Sequence, residues 1–392
     1  MRNIIGIPAR GTNFYERNRE ITRITQSLSN GNNIQITAPR RVGKTSILWH
    51  LLDNDIAQRN YIYVDTESID SEDDFYKKIL SEIIRNAKVS QSQSLHRAIN
   101  QGLHKTLKKI KSIKIAGTGL EFNHEPSIIN YFEELQNFLE GYAQSEQTDL
   151  ILLIDEFPQT IENLKQKHED LARSFLKSNR SLRLNPALQG KVKFIYTGSI
   201  GLNYTVALLN ATATINDLNS IEVGPLTRSE ANDFFQKLLQ AKKMKADDSG
   251  IQELQEVLQW YIPFHIQLIA QEVLNHYPVG STINREAIQY AIKQIIDLRN
   301  QNHFDHYYSR LRAQFKDAAF TYSDELLKRI AVKGSLLKAE AADLAIKNKV
   351  SDDHRRILES LIYDGYIHLS TEAEEYRFNS PMVRMWWQKF IC

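Results

Sequence analysis

The chain has 392 residues, 42% hydrophobic and 24% charged, with a formal net charge of +2. That is enough apolar material for two or three globular cores, and it excludes a disordered chain. The near balance of charge excludes an overall field that demands an anionic partner, and the single cysteine, Cys392, excludes an intramolecular disulfide and a cysteine-based zinc site within one chain.

At the N-terminus, MRNIIGIPARG has only a short apolar run broken by Gly6 and Pro8, too little for a secretory core. No later segment approaches the roughly 18 uninterrupted apolar residues of a membrane span. A cytoplasmic protein without membrane contact is expected.

IQITA, from Ile34, is a run of β-formers that feeds into APRRVGKT, residues 38–45. This matches the phosphate-loop pattern GxxxxGK[ST] at every fixed position but the first, where Ala38 stands for glycine. Ordinary backbone torsions are expected at Ala38, since a positive φ would cost about 1 kcal/mol or more. The next segment has apolar residues at Ile47, Leu48, Leu51 and Leu52, which is helix spacing. The order strand, loop, helix aims backbone N–H groups and a helix N-terminus at an anion. The candidate nucleotide site is therefore Ala38, Pro39, Arg40, Arg41, Val42, Gly43, Lys44, Thr45 and Ser46. Lys44 would reach the β- and γ-phosphates, and Thr45 would offer its hydroxyl to Mg2+. At least one of Arg40 and Arg41 is expected to face the nucleotide or a partner, with salt-bridging inside the protein as the alternative.

YIYVDTES, residues 61–68, reads as a buried strand, and Ser71-Glu72-Asp73-Asp74 opens an acidic first turn for a helix to about Ala87. Residues 94–123 look like an insertion, a basic helix followed by a glycine-split hairpin. Its Arg97, Lys105, Lys108, Lys109, Lys111 and Lys114 lack matching acids. Phosphate-backbone binding is one reading of this stripe; a solvated or partner-facing helix is the other, favoured because no aromatic residues are interleaved to stack bases.

DLILLIDEF, residues 149–157, is the most buried-looking strand. Its tip presents Asp155, placed to hold Mg2+, and Glu156, placed to orient or deprotonate the attacking water. Arg173, Arg180 and Arg183 follow; a finger for a neighbouring subunit is one reading, a solvated helix face the expected one. KVKFIYTGSIGL gives a further strand ending at Thr197-Gly198-Ser199, where Thr197 and Ser199 either read the γ-phosphate or cap an ordinary turn.

Thr227 with Glu230 three residues on predicts a capping box, and Pro263 a first helical position. His303 and His306 in HFDHYY are not read as a metal site, because no third ligand is indicated. From Asp324 the pattern is three helices, two short strands and a last helix, the order of a winged helix. This stretch has eleven acids and eleven bases, and its third helix is expected to lead with Ser351-Asp352-Asp353, a poor approach to phosphates. MVRMWW is expected in the core of this region.

NFYERNREI, APRRVGKTSIL, LLIDEF, FIYTGSIGL, VGPLTRSEA, Pro263 ahead of a helix and YRFNSPMVRMWW together resemble the STAND-type P-loop ATPases of the archaeal-ATPase-like branch related to AAA+ proteins. The resemblance runs over nearly the whole chain. It implies an α/β P-loop NTPase with a parallel-sheet core, a helical subdomain and a C-terminal winged helix. The expected domains are a core at 1–220 carrying the insertion at about 94–123, a helical lid at 221–305 and a winged-helix-like domain at 306–392. It further implies that Phe14, Tyr15 and Arg17 line the adenine and that Pro263 approaches the nucleotide. Departures from the family pattern are Glu16, Ala38 and Trp260-Tyr261-Ile262. The implied function is an ATP- and Mg2+-dependent conformational switch acting on a partner protein or in a homo-oligomer, in a prokaryotic defence or regulatory system. Alternatives are a DNA-binding ATPase of origin-recognition type and a non-hydrolysing scaffold.

Overall fold

The computed structural model describes residues 1–54, 56–86, 129–198, 201–297 and 302–392, so the expected insertion at 94–123 and Ser199 lie outside the described residues. The chain forms two compact units. One comprises Glu16–Thr37 and Lys44–Val223, the other Met1–Tyr15, Ala38–Gly43 and Gly224–Cys392.

The first unit contains α1 (Asn18–Ser29), β1 (Asn33–Thr37), α2 (Lys44–Asp53), β2 (Asn60–Asp65), α3 (Glu72–Arg85), α4 (Tyr131–Ser145), β3 (Leu150–Asp155), α5 (Phe157–Lys167), α6 (Glu169–Arg183), β4 (Val192–Tyr196), α7 (Leu202–Leu208) and β5 (Leu218–Glu222). Its five strands form a parallel sheet in the order β2-β3-β4-β1-β5. All six residues of β3 are buried, as expected of a strand covered on both faces. The predicted acidic start of α3 is present: the Ser71 side chain accepts from the Asp74 N–H, and Glu72, Asp73 and Asp74 sit at the positive end of the helix. Aromatic rings fill one side of the sheet, with Phe75 edge-on to Phe175 at 4.8 Å and Phe157 against Tyr196 at 4.5 Å.

Arg183 departs from the solvated face expected of it. It is 5% exposed, bonds both oxygens of Asp217 at 2.7 and 2.9 Å, and lies 5.4 Å over the Tyr196 ring. Arg173 pairs with Glu169 and Asp170, and Arg180 bonds Asn216. All three arginines thus have partners in their own chain. Breaking a buried pair such as Arg183–Asp217 would leave a charge uncompensated, at a cost of about 3–5 kcal/mol.

The second unit contains α8 (Arg228–Leu239), β6 (Lys245–Ala246), α9 (Asp248–Leu258), α10 (Pro263–His276), β7 (Thr282–Ile283), α11 (Arg285–Ile295) and α12 (Asn302–Gln314). Then come α13 (Asp317–Lys333), β8 (Leu336–Leu337), α14 (Lys338–Lys347), α15 (His354–Tyr363), β9 (Ile367–Ser370), β10 (Glu375–Phe378) and α16 (Pro381–Phe390). The Thr227–Glu230 capping box is formed, and Pro263 is the first residue of α10. β8, β10 and β9 make an antiparallel sheet in that order. α15 begins at His354, leaving Ser351 and Asp352 in the preceding turn and Asp353 at the N-cap, one turn later than sequence spacing suggested. Trp386 and Trp387 are fully buried, as read from MVRMWW, and Trp387 meets Tyr308 and Phe378, each at 5.7 Å. At Gly365, with φ +81°, a Cβ would fall 2.1 Å from the Trp260 ring, so the indole fills the place a side chain would take. Among the described residues no helix is long and apolar enough to cross a membrane.

Candidate functional site

The tips of β1, β4 and β3 are level, since Gln35 and Ile154 both pair with Tyr196. In open parallel sheets the crevice outside these carboxyl ends is where ligands bind. Lys44 and Thr45 are the first two residues of α2, and Lys44 is 7% exposed. The Thr45 hydroxyl donates to Asp155 Oδ2 at 2.8 Å, joining the two motifs that lie 110 residues apart.

Asp155 is 2% exposed and its carboxylate is held from three directions. Besides Thr45, the Tyr63 phenol donates to Oδ2 at 3.0 Å, and the Glu156 backbone N–H donates to Oδ1 at 3.1 Å. Desolvation by burial pushes its pKa up to about 6; the Glu156 charge adds to the rise, and the Thr45 and Tyr63 hydrogen bonds and Lys44 oppose it. The Asp155 backbone is pinned as well, because Thr66 donates to its carbonyl through both N–H and hydroxyl, and Thr160 in turn donates to the Thr66 carbonyl. Tyr63, Thr66 and Thr160 belong to no nucleotide-binding motif. The alternation in YIYVD, which puts Tyr63 and Asp65 on one face of the strand, is a signal for Tyr63 alone; nothing in the sequence pattern marks Thr66 or Thr160.

Glu156 has left-handed backbone, φ 58° and ψ 29°, at the N-cap of α5. A side chain held there costs about 1–3 kcal/mol and persists only where neighbours enforce it. The enforcing contacts come from Thr197, whose N–H donates to the Ile154 carbonyl and whose carbonyl accepts from the Phe157 N–H. A Cβ on Gly198 would fall 2.5 Å from Pro158 Cδ and 3.5 Å from Glu156 Oε2, so glycine is needed for this close approach. Thr197 is 2% exposed and its Oγ1 is buried without a hydrogen-bond partner. A buried hydroxyl left in this state at a strand tip is available to a ligand oxygen.

The loop Ala38–Gly43 has its left-handed residues at Arg41, φ 66°, and Gly43, φ 98°; Ala38 is outside that region, as expected. Ala38 and Val42 are buried, Pro39 and Arg40 half-buried, and Ser46 is half-buried in α2. Arg41 is exposed and its guanidinium lies 4.5 Å over the Phe264 ring, beside Pro263. The next residue, His265, is fully buried and neither ring nitrogen has a hydrogen-bond partner; burial, followed by the Arg41 charge, pushes its pKa down to about 3. His306 likewise has two unpartnered nitrogens and is pushed down by burial and by Arg40 and Arg41. Phe14 is buried, and Tyr15 donates to Asp233 at 2.8 Å and tilts against Phe234 at 4.9 Å. Arg17, 5% exposed, pairs with Glu20 at 3.1 Å.

Residues 14–267 match a family model described as an ATPase domain predominantly from Archaea. Among solved structures, a Walker-type ATPase of Pyrococcus abyssi superposes with a TM-score of 0.64 at 18% identity, over 98% of this chain and 99% of that one. The ORC2 protein of Aeropyrum pernix, in its ADPNP–ADP complexes, superposes with a TM-score of 0.50 at 10% identity, over 97% and 93%. At these identities the likeness is one of fold. No curated protein matches the chain. Because the family match spans well over half of the sequence and includes both the phosphate loop and the carboxylate strand, the chain belongs to this archaeal-type ATPase family and is a P-loop enzyme that binds and hydrolyses ATP.

Proposed function

We propose that the chain is a Mg2+-dependent ATP switch of the STAND type, in which occupancy of the phosphate site governs binding of a partner protein. The observation that carries this reading is the convergence of Thr45, Asp155, Glu156 and Thr197 at adjoining strand tips, with one carboxylate held by three donors and one hydroxyl left unpartnered. Thr45 and Asp155 are hard oxygen donors of the kind Mg2+ takes, and they would hold it where it neutralises charge on the β- and γ-phosphates. Lys44 grips the same phosphates as a point charge. Glu156 accepts the proton of the attacking water, and Thr197 donates to the γ-phosphate, a contact that the product state lacks. Contacts made only in the triphosphate state supply the free energy for a conformational change.

Phe14, Tyr15, Arg17 and Pro263 take the base side in this reading, on the strength of the STAND resemblance, and Ser199 joins Thr197. Residues 1–220 act as the ATPase core, 221–305 as a helical lid and 306–392 as a winged-helix-like domain. For the last, the support is the order α13, β8, α14, α15, β9, β10 and α16, with the three strands in one antiparallel sheet, one strand more than the sequence pattern predicted. A protein partner or a second copy is favoured over duplex DNA. Asp352 and Asp353 precede α15, and its Arg355 and Arg356 are already paired to Glu359 and Asp353. A cytoplasmic setting completes the reading.

The test is ATP binding by calorimetry together with phosphate release. Lys44→Ala is expected to abolish binding, and Glu156→Gln to bind ATP normally while turnover falls at least about 100-fold. Equal turnover in wild type and Glu156→Gln rejects the assignment of Glu156 and with it the hydrolytic switch.

A further inference from the structure

We infer that Tyr63 is a positioning residue for the Mg2+–nucleotide complex: its phenol fixes the orientation of the Asp155 carboxylate. This inference rests on the reading of Asp155 and Thr45 as the metal-holding pair and adds a third member from outside both motifs.

An ionised carboxylate has about four lone-pair directions, and its terminal torsion is broad, so the plane of an unrestrained aspartate carboxylate turns freely. At Asp155 three of the four directions are taken. Oδ2 accepts from Thr45 and Tyr63, and Oδ1 accepts from the Glu156 N–H. The donors come from α2, β2 and the chain just beyond β3, so any turn of the carboxylate plane other than the equivalent half-turn loses at least one of them. The remaining direction, on Oδ1, is the one left for a metal-bound water. Without the phenol, Oδ2 keeps only the Thr45 hydroxyl, itself a group the metal would engage, and the carboxylate becomes free to turn toward the Lys44 ammonium.

Tyr63 is built into this place. Asp65 pairs with Asp155 and Tyr63 with Leu153, so Tyr63 is the diagonal neighbour of Asp155, within reach of an aromatic side chain. Its ring meets the Trp49 ring edge-on at 5.8 Å. Trp49 lies one helical turn beyond Thr45, so α2 carries both the hydroxyl that binds Asp155 and the ring that braces Tyr63.

The experiment uses the full chain and a fluorescent, non-hydrolysable ATP analogue, titrated in EDTA and again at increasing Mg2+. In Tyr63→Phe, which keeps the ring and loses only the hydroxyl, the affinity in EDTA is expected to be unchanged and the Mg2+ half-saturation point to rise about tenfold. Adding Tyr63→Phe to Asp155→Asn should then cost nothing further, since the two act as one unit. An unchanged Mg2+ requirement in Tyr63→Phe, or an equal loss of affinity with and without metal, overturns the inference while leaving the metal pair standing. Absence of any Mg2+ dependence in the wild type overturns both. Full additivity in the double variant also overturns it.

Discussion

At the end of β3 the Asp155 carboxylate accepts from Thr45, Tyr63 and Glu156, and one neighbouring hydroxyl, that of Thr197, goes without a partner. In the C-terminal unit His265 and His306 have four ring nitrogens without partners, beside the Tyr307 hydroxyl, which also has none. Both centres are polar and inside the protein, yet they are wired differently. Among the described residues, the first sets one unmet hydrogen bond beside a carboxylate held by three donors. The second leaves several unmet at a cost of about 1–3 kcal/mol each, and holds its imidazoles neutral by burial first, helped by the charge of Arg41 at His265 and of Arg40, Arg41 and Arg310 at His306. An unmet hydrogen bond therefore has no fixed meaning; its neighbours decide whether it serves a ligand or weakens the fold.

That contrast is broken most sharply by removing the orphan group on each side. Thr197→Val should lower ATP turnover about 10- to 100-fold in a phosphate-release assay, with denaturant stability unchanged or slightly higher, because no internal hydrogen bond is lost. A stability loss beyond about 2 kcal/mol without a fall in turnover would make Thr197 a structural residue like the histidines.

His265→Phe should do the reverse. The folded His265 pKa, about 3, lies below the value near 6.5 of an unfolded histidine. Between those values the unfolded chain binds the extra proton, so stability rises with pH and is lost on acidification, by up to about 1.4 kcal/mol per pH unit for this group. Chemical denaturation from pH 7 to pH 4 should show a shallower decline in His265→Phe than in the wild type. Parallel curves would show that His265 does not carry the acid sensitivity.

The smallest effect is expected at Arg41. Glycine there relieves a left-handed torsion worth about 1 kcal/mol and loses a ring contact worth about 0.5–1 kcal/mol, so the melting temperature of Arg41→Gly should stay within a few degrees of the wild type. Arg41→Ala, which keeps the torsion and loses the contact, should melt lower than Arg41→Gly.

Sequence pattern carried the parts of this molecule that local chemistry dictates. The phosphate loop, the fully buried β3, the Thr227–Glu230 cap and Pro263 at the start of α10 each follow from residues within a few positions of one another. What stayed hidden depends on pairing between distant segments. Tyr63 reads as an ordinary strand tyrosine until the register of β2 against β3 sets it diagonal to Asp155. Arg183 has the spacing of a helix-surface arginine until Asp217, 34 residues later, folds back on it. The histidines of HFDHYY are not a metal site on sequence grounds, but the arginine charges that act on them come from segments far off in the chain, as Arg40 and Arg41 do. Gly198 looks like a turn glycine; its necessity comes from Pro158 across the sheet tip.

The Trp260 indole stands where a Gly365 side chain would be, like a bolt in a socket. Gly365 follows α15, and Trp260 lies between α9 and α10, so the bolt joins two segments about a hundred residues apart in the chain. Any swing of the three-stranded C-terminal sheet away from α9 and α10 must first withdraw that ring, which turns one bulky residue and one absent Cβ into a latch with a built-in optical reporter.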